Sequence, residues 1–499
     1  MNFATTIFVL FFLPVLSIGW ALRGNPTLYK YFITLASIVF YGYAGAEYVL
    51  LLLLVAFMNW GCVCLREREV WHEQNCPHCG KQVKFSIQKG WKKWPLVVTV
   101  TLHILLLAFY KYAEPFYVLL NNLILPESAL QQWLAESGMG EIALPAGLSF
   151  YSFMGLSYSI DSYRNKQLPT RSFADVLAYI SFFPCVMAGP IMRSEQFFGQ
   201  LKATRAESND LSEGMCYILS GLFKKVVLAT YLSQGLVDPL FTTPENYSTV
   251  AIWVGIYAYT MQIYCDFSGY TDMAIGIGRL MGWKIPENFD APYRSLNLQE
   301  FWHRWHITLS RWLRDYLYIP LGGSRRGNRY VNLIATMTIG GLWHGSGGRI
   351  LNFLIWGFFH GLGLAIVHGY HALRDRYFPQ VNQAPRALKI LGKVAAWLLT
   401  LHVLALLWVF FRAESYEGAC TLLNAAFIPQ DGEGFALPII FCILIVLALQ
   451  WGGPAFYKGF SGIYSKLPWV IQALVAGVLG GAILGLGPEG MLPFIYFDF

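Results

Sequence analysis

Apolar runs long enough to cross a bilayer recur along this chain, and nothing else constrains its fold as strongly. Examples are "FATTIFVLFFLPVLSIGWAL", "YVLLLLLVAFMNWGCVCL", "AWLLTLHVLALLWVFF", "PIIFCILIVLALQWGG" and "WVIQALVAGVLGGAILGLG". A helix needs about 20 such residues to span the hydrocarbon. Roughly a dozen spanning or re-entrant segments are expected on that basis. Charged residues make up only 13% of the 499, against about 25% in a soluble domain. The expectation is an all-α polytopic membrane protein, a single integral domain over residues 1–499 with no separate soluble domain. The first run has neither a basic leader nor a small-residue cleavage site, so it is expected to be a retained span.

The net charge of +7 does not point to nucleic acid, because the basic residues are spread over loops. These are 65–94, with Arg66, Arg68, Lys81, Lys84, Lys89, Lys92 and Lys93; then Arg294 to Arg329; then Arg374 to Lys393. Positive loops stay cytoplasmic. Keeping all three inside gives early spans near 3–22, 31–45 and 47–64, with the N-terminus outside. The chain then leaves at 394–411, returns at 434–452, turns inside at Lys458 and Lys466, and leaves again at 468–486. The segment 487–499 is therefore expected on the extracytoplasmic face of a bacterial cytoplasmic (inner) membrane.

Most of the nine cysteines lie in apolar runs and suit small buried hydrophobes. "NCPHCGKQ" differs: Cys76 and Cys79 form a C-x-x-C knuckle in a loop assigned to the reducing cytoplasm, where zinc is a better candidate than a disulfide. Tetrahedral zinc takes four ligands, so the others would come from Cys62, Cys64, His72 or His78. A free-thiol loop is the alternative.

Residues 261–361 carry polar groups that do not belong in lipid. Gln262, Asp266 and Asp272 lie in apolar helices, where such groups either brace neighbouring helices or shape a wet cavity. "QEFWHRWHITLSRWLRDYLYIPLGG", dense in Trp and Arg, suits a helix at or just under the interface. Most of its arginines fit interfacial anchoring, while His306 among tryptophans would stay neutral. His344 is the sharpest single residue. It follows the apolar run "VNLIATMTIGG" inside "GGLWHGSGG", where glycines admit unusual backbone angles and close approach of a ligand. Irregular backbone at membrane depth is expected where it lines a cavity, and imidazole exchanges protons near neutral pH. A histidine merely hydrogen-bonded in the bundle is the plainer alternative, and the one favoured for His360. No nucleophile elbow or phosphate loop is present, so base chemistry is expected without an evident nucleophile.

Five stretches resemble the membrane-bound O-acyltransferase (MBOAT) superfamily, and within it the bacterial branch that O-acylates envelope polymers such as alginate, peptidoglycan and cellulose. They are "FADVLAYISFFPCVMAGPIMR" at 173–193, "YCDFSGYTDMAIGIG" at 264–278, "ENFDAPYRS" at 287–295, "EFWHRWHITLSRWLRDYLYIPLGGSRRG" at 300–327 and "GGLWHG" at 340–345. The cysteine loop has no counterpart in that pattern. The resemblance implies a ring of tilted transmembrane helices with re-entrant segments around a central tunnel. It also implies that His344 is catalytic, with His306 as its partner on the cytoplasmic approach. Trp305, Trp343, Asp266 and Asn288 are expected to line the tunnel or bind substrate. The donor would be acetyl-coenzyme A or another acyl thioester.

The tail "MLPFIYFDF" fits the branch's F-x-Y-x-x-F motif at Phe494, Tyr496 and Phe499. The resemblance implies that Tyr496 carries the acyl group transiently while the phenylalanines dock the tail; an aromatic belt anchor is the alternative. The expected function is transfer of an acyl group, acetyl above all, to the outer face for O-acylation of a polysaccharide by a separate extracytoplasmic acetyltransferase. A lipid or protein O-acyltransferase of the same superfamily competes. A secondary transporter would also show broken helices, but no second copy of the 300–345 pattern is present.

Overall fold

The computed structural model describes residues 3–74, 93–123, 144–164, 172–201, 208–377 and 385–488. Cys76, His78 and Cys79, and the tail residues Phe494, Tyr496 and Phe499, lie outside the described residues. What is described is α-helical, with one isolated bridge between Tyr247 and Glu433.

Seven helices among the described residues are long and apolar enough to cross a bilayer: Ala46–Leu65, Trp94–Ala113, Asp210–Thr242, Gly347–Tyr377, Arg386–Arg412, Leu437–Tyr464 and Trp469–Leu486. The chain is thus an all-α polytopic membrane protein. Three helices do precede the first basic loop, but the first two, Thr6–Leu22 and Pro26–Gly42, are shorter than the third, Ala46–Gln74. The second starts earlier than its apolar run suggested, because Asn25 caps it and Pro26 takes the first helical position. Near the C-terminal end, the helix expected to stop at 452 runs on to Tyr464, so Lys458 is helical rather than part of a turn.

The chain divides into two compact units: Met1–Asp210 with Ile277–Pro286, and Leu211–Gly276 with Glu287–Phe499. The first has a core of phenylalanines, among them Phe8, Phe40 and Phe183. It also holds one saturated polar brace. His103 Nδ1 donates to Thr99 O, Asn59 Nδ2 meets both Val55 O and His103 Nε2, and Ser159 Oγ donates to Asn59 Oδ1. Each of these groups is spent on another helix or its own, which is the use expected of polar side chains in a bundle.

The second unit contains His306, His344, His360, Asp266 and Asp272. Here the sequence expectation needs correction, since basic residues are not confined to loops. Lys224 and Lys225 sit inside the Asp210–Thr242 span and are buried. Lys225 pairs with Asp266, and Lys224 pairs with Asp272 at 2.6 Å. Asp266 and Asp272 flank Gly269 by three residues each way. At Gly269 the two helices touch backbone to backbone, for a Cβ there would lie 2.8 Å from Gly221 O, and one on Gly221 only 2.5 Å from Gly269 O. Adjacent residues of a helix point to different sides of its axis. The lysines therefore straddle the crossing, one reaching each way along the partner helix, on a stretch wound as wider π-type turns, Phe223–Ala229. Asp266 and Asp272 thus each pair with a lysine of a neighbouring helix; Gln262 is buried, and its Oε1 has no partner among the described residues.

Removing one member of a buried ion pair leaves the other charged and desolvated, at a cost of about 3–5 kcal/mol, whereas replacing both costs far less. Lys225→Met alone should sharply lower the Tm and accumulation of the detergent-solubilised protein. Lys225→Met combined with Asp266→Leu should recover most of the loss. Thermal unfolding of the three proteins checks this, and equal losses in single and double variants would count against the clamp.

Candidate functional site

His344 is the last residue of the Arg329–His344 helix, which starts at Asn328, whose side chain accepts from the backbone N–H groups of Tyr330 and Val331. The helix stops because Gly345 turns extended, and the chain reverses through Gly347 at φ +53° into the helix Ile350–Tyr377. The two helices then run back in backbone contact. A Cβ on Gly341 would lie 2.2 Å from Phe353 O, and one on Gly357 would lie 2.4 Å from Met337 O. This close approach brings the second helix's rings onto the histidine. His344 is buried, with ring centroids at 4.4 Å from Trp343, 5.4 Å from Trp356 and 5.9 Å from Phe353. Phe411, from Arg386–Arg412, closes the cage at 5.3 Å. The result is an imidazole held by four aromatic rings at the end of a helix, beside a glycine-bordered break.

His306 is held by other means. The interfacial helix expected at 299–323 is broken: Leu298–Arg304 ends, and Ile307–Leu313 begins directly after His306. His306 itself is left-handed at φ 42°, ψ 53°. For a residue with a Cβ that conformation costs about 1–3 kcal/mol and persists only where its surroundings hold it. They do so through residues 288–290: Ile307 N donates to Asn288 O at 2.9 Å, and Asp290 N donates to Arg304 O at 3.0 Å. Asn288 Oδ1 also accepts from Thr308 N at 3.2 Å and Thr308 Oγ1 at 2.9 Å, and lies 3.1 Å from His306 Nδ1. A backbone N–H can only donate, so the Asn288 atom it meets is the carbonyl oxygen. His306 Nδ1 therefore bears the proton, and Nε2 is the basic nitrogen of the neutral ring. Phe267 packs edge-on against that ring at 4.8 Å.

The two histidines belong to one aromatic network. Trp305, buried beside His306, packs on Trp408 at 5.0 Å; Trp408 packs on Trp356 at 5.9 Å; and Trp356 meets His344. His360 lies in the same stack and accepts from Trp302 Nε1 at 3.2 Å, which agrees with a structural role. Of the other expected residues, Trp343 lies on His344 and Asn288 orients His306. Asp266 belongs to the ionic clamp. Trp356, Trp408 and Phe411 were not singled out from the sequence; "LLWVFF" gave only its apolarity, and which ring faces inward depends on helix rotation. Lys224 and Lys225 did carry a visible signal, two cations within a spanning run. Among the described residues no group of three or more His, Cys, Asp or Glu could hold a metal. Cys76 and Cys79 lie outside them.

This arrangement offers proton exchange at a buried imidazole in a largely apolar setting, with a second, tautomer-defined imidazole on the same ring network. The sequence profile of the membrane-bound O-acyltransferase family matches residues 38–410. The chain is 32% identical to a probable alginate O-acetylase, AlgI, of Pseudomonas putida, over all of both proteins. It is 34% identical to a peptidoglycan O-acetyltransferase of Helicobacter pylori, over all of this chain and 97% of that protein. A teichoic acid D-alanyltransferase of Bacillus subtilis is 30% identical over 46% of this chain and 60% of its own length. The chain belongs to the membrane-bound O-acyltransferase family and is an integral membrane O-acyltransferase.

Proposed function

We propose that this protein carries an acyl group, acetyl in the first instance, from a cytoplasmic thioester to the extracytoplasmic face of the bacterial inner membrane, for O-acylation of an envelope polysaccharide or exopolysaccharide. The observation that carries the reading is the His344 cage: a buried imidazole at a helix end, in a chain whose full-length relatives are named for O-acetylation of alginate and peptidoglycan. His344 acts as general base on the acceptor hydroxyl and returns the proton to the leaving thiolate. His306 is its partner on the donor side. The acceptor is Tyr496 of the tail, with Phe494 and Phe499 docking it. A phenol is only a somewhat weaker acid than a thiol, so an aryl ester keeps much of a thioester's activation. The acyl group moves from thioester to tyrosine at small cost and downhill from there to a sugar hydroxyl. A separate extracytoplasmic acetyltransferase makes the last transfer.

His344→Ala should abolish polymer acylation, a loss of roughly 10²–10⁴, while the protein still accumulates in the membrane. Acetyl content of the polymer at matched protein level measures it, and a near-normal value would remove His344 from the chemistry.

Asn288 acts through His306. His306→Ala and Asn288→Ala should each lower the rate, and the double variant should be no worse than the more damaging single one, because groups that work as a unit are not additive. Full additivity in that cycle would separate the two residues.

Tyr496→Phe keeps the apolar ring and removes one hydroxyl, so an interfacial anchor would scarcely register it. Polymer acylation should nevertheless stop, with donor binding retained. Mass analysis of wild-type protein given donor and no downstream partner should find an acyl adduct on the C-terminal peptide. Normal acylation by Tyr496→Phe would reduce the tail to an anchor.

A further inference from the structure

Acyl transfer from a thioester passes through a tetrahedral intermediate whose former carbonyl oxygen carries a negative charge. A general base does nothing for that charge; a hydrogen-bond donor fixed beside the reacting carbon does. Trp356, on the helix that faces His344, brings such a donor to it. Its ring lies 5.4 Å from the His344 ring at 86°, and the residue is 2% exposed. Its indole N–H is buried and has no hydrogen-bond partner among the described residues. Other indoles of this protein are spent: Trp253 donates to Ala426 O, Trp283 to Tyr29 OH, Trp302 to His360 Nδ1 and Trp397 to Tyr293 O, all at 2.8–3.2 Å. The Trp408 side chain is directed to Tyr293, and its ring reaches His344 only through Trp356 and Phe411. A buried donor left unmade costs about 1–3 kcal/mol, and such a group calls for a reason. Indole N–H only donates, so what it awaits is an acceptor. Trp302, Trp408 and Phe411 pack around it and offer no side-chain oxygen, and the Nδ1 of His360, 4.6 Å away ring to ring, already accepts from Trp302.

Resting on the acyl-transfer reading above, we propose that Trp356 Nε1 donates a hydrogen bond to the carbonyl oxygen of the acyl thioester, and to the oxyanion formed from it, during transfer at His344. The acceptor's hydroxyl oxygen bonds to the carbonyl carbon while His344 takes its proton, and the carbonyl π electrons move onto oxygen opposite Trp356 Nε1. The oxyanion then collapses, the carbon–sulfur bond breaks, and the proton passes from His344 to the thiolate. Trp356 keeps its proton throughout. The site it completes recognises a thioester carbonyl of any acyl chain that the aromatic cage admits.

Two substitutions separate the N–H from the ring. Trp356→Phe removes the donor and part of the packing; Trp356→3-benzothienylalanine replaces N–H by sulfur in a ring of nearly the same shape. In cells carrying each full-length variant at matched level, acetyl incorporation into polymer should fall roughly 10²–10³-fold in both. The isostere should keep the wild-type Tm, and should bind acetonyl-coenzyme A, which retains the carbonyl but cannot transfer it, within tenfold of wild type. A wild-type rate in the isostere overturns the proposal, whatever Trp356→Phe does, since the ring would then act by packing alone. So does a rate loss in the isostere matched by a loss of Tm. His344→Ala run in parallel keeps the two questions apart. If it is active, the acyl-transfer site itself is misplaced; if it is inactive beside an active isostere, only the N–H role falls.

Discussion

Inside hydrocarbon no water is at hand to satisfy a charged or polar side chain, so such groups have to meet one another. That requirement organises the second unit. Lys225 finds Asp266, Lys224 finds Asp272, and Arg412 finds Asp238. The same rule explains why Gly221 and Gly269 sit where they do. Two helices must approach to backbone contact before two lysines on one can each reach a carboxylate on the other. A side chain larger than hydrogen at that crossing would push the helices apart and strand both charges.

Close approach does a second job at Gly341 and Gly357. It seats one helix of a reversing pair on the other tightly enough for Phe353 and Trp356 to wall in His344. The two histidines are thus fixed by opposite devices. His344 is held by rings and a helix end. His306 is held by hydrogen bonds at a strained backbone position, with its tautomer set by Asn288. A reacting group needs placement within a fraction of an ångström, and support from packed neighbours is what provides it.

Much of this was legible in the sequence. Bilayer-length apolar runs announced the fold class, and glycines around "LWHG" marked the helix break because only glycine tolerates what that reversal and contact require. Three things were hidden. The break at His306 breaks a segment whose composition favours continuous helix, since it is imposed by residues 288–290 through pairing that no local propensity encodes. The aromatic cage depends on the rotation of two helices about their axes, and runs that are apolar all round, such as "LALLWVFF", do not specify it. The ionic clamp was hidden for a different reason. Lys224 and Lys225 were visible, but their partners lie more than forty residues away on another span, and only the glycine contact brings them together.

The clamp and the cage also divide the labour of protons. In transfer from a thioester to a hydroxyl, the proton lost by the acceptor equals the proton gained by the thiol, so one imidazole can serve both steps of the reaction. No file of titrating groups through the membrane is demanded by that stoichiometry. Paired charges at Lys225–Asp266 and Lys224–Asp272 are well suited to a frame, because each pair ties one helix to another. What the reaction does demand is a dry site in which a neutral base and a neutral donor face one carbonyl. In the transfer proposed above, an environment of tryptophan and phenylalanine supplies that dryness, and in it an imidazole and an indole N–H would act with the strength that low dielectric gives them.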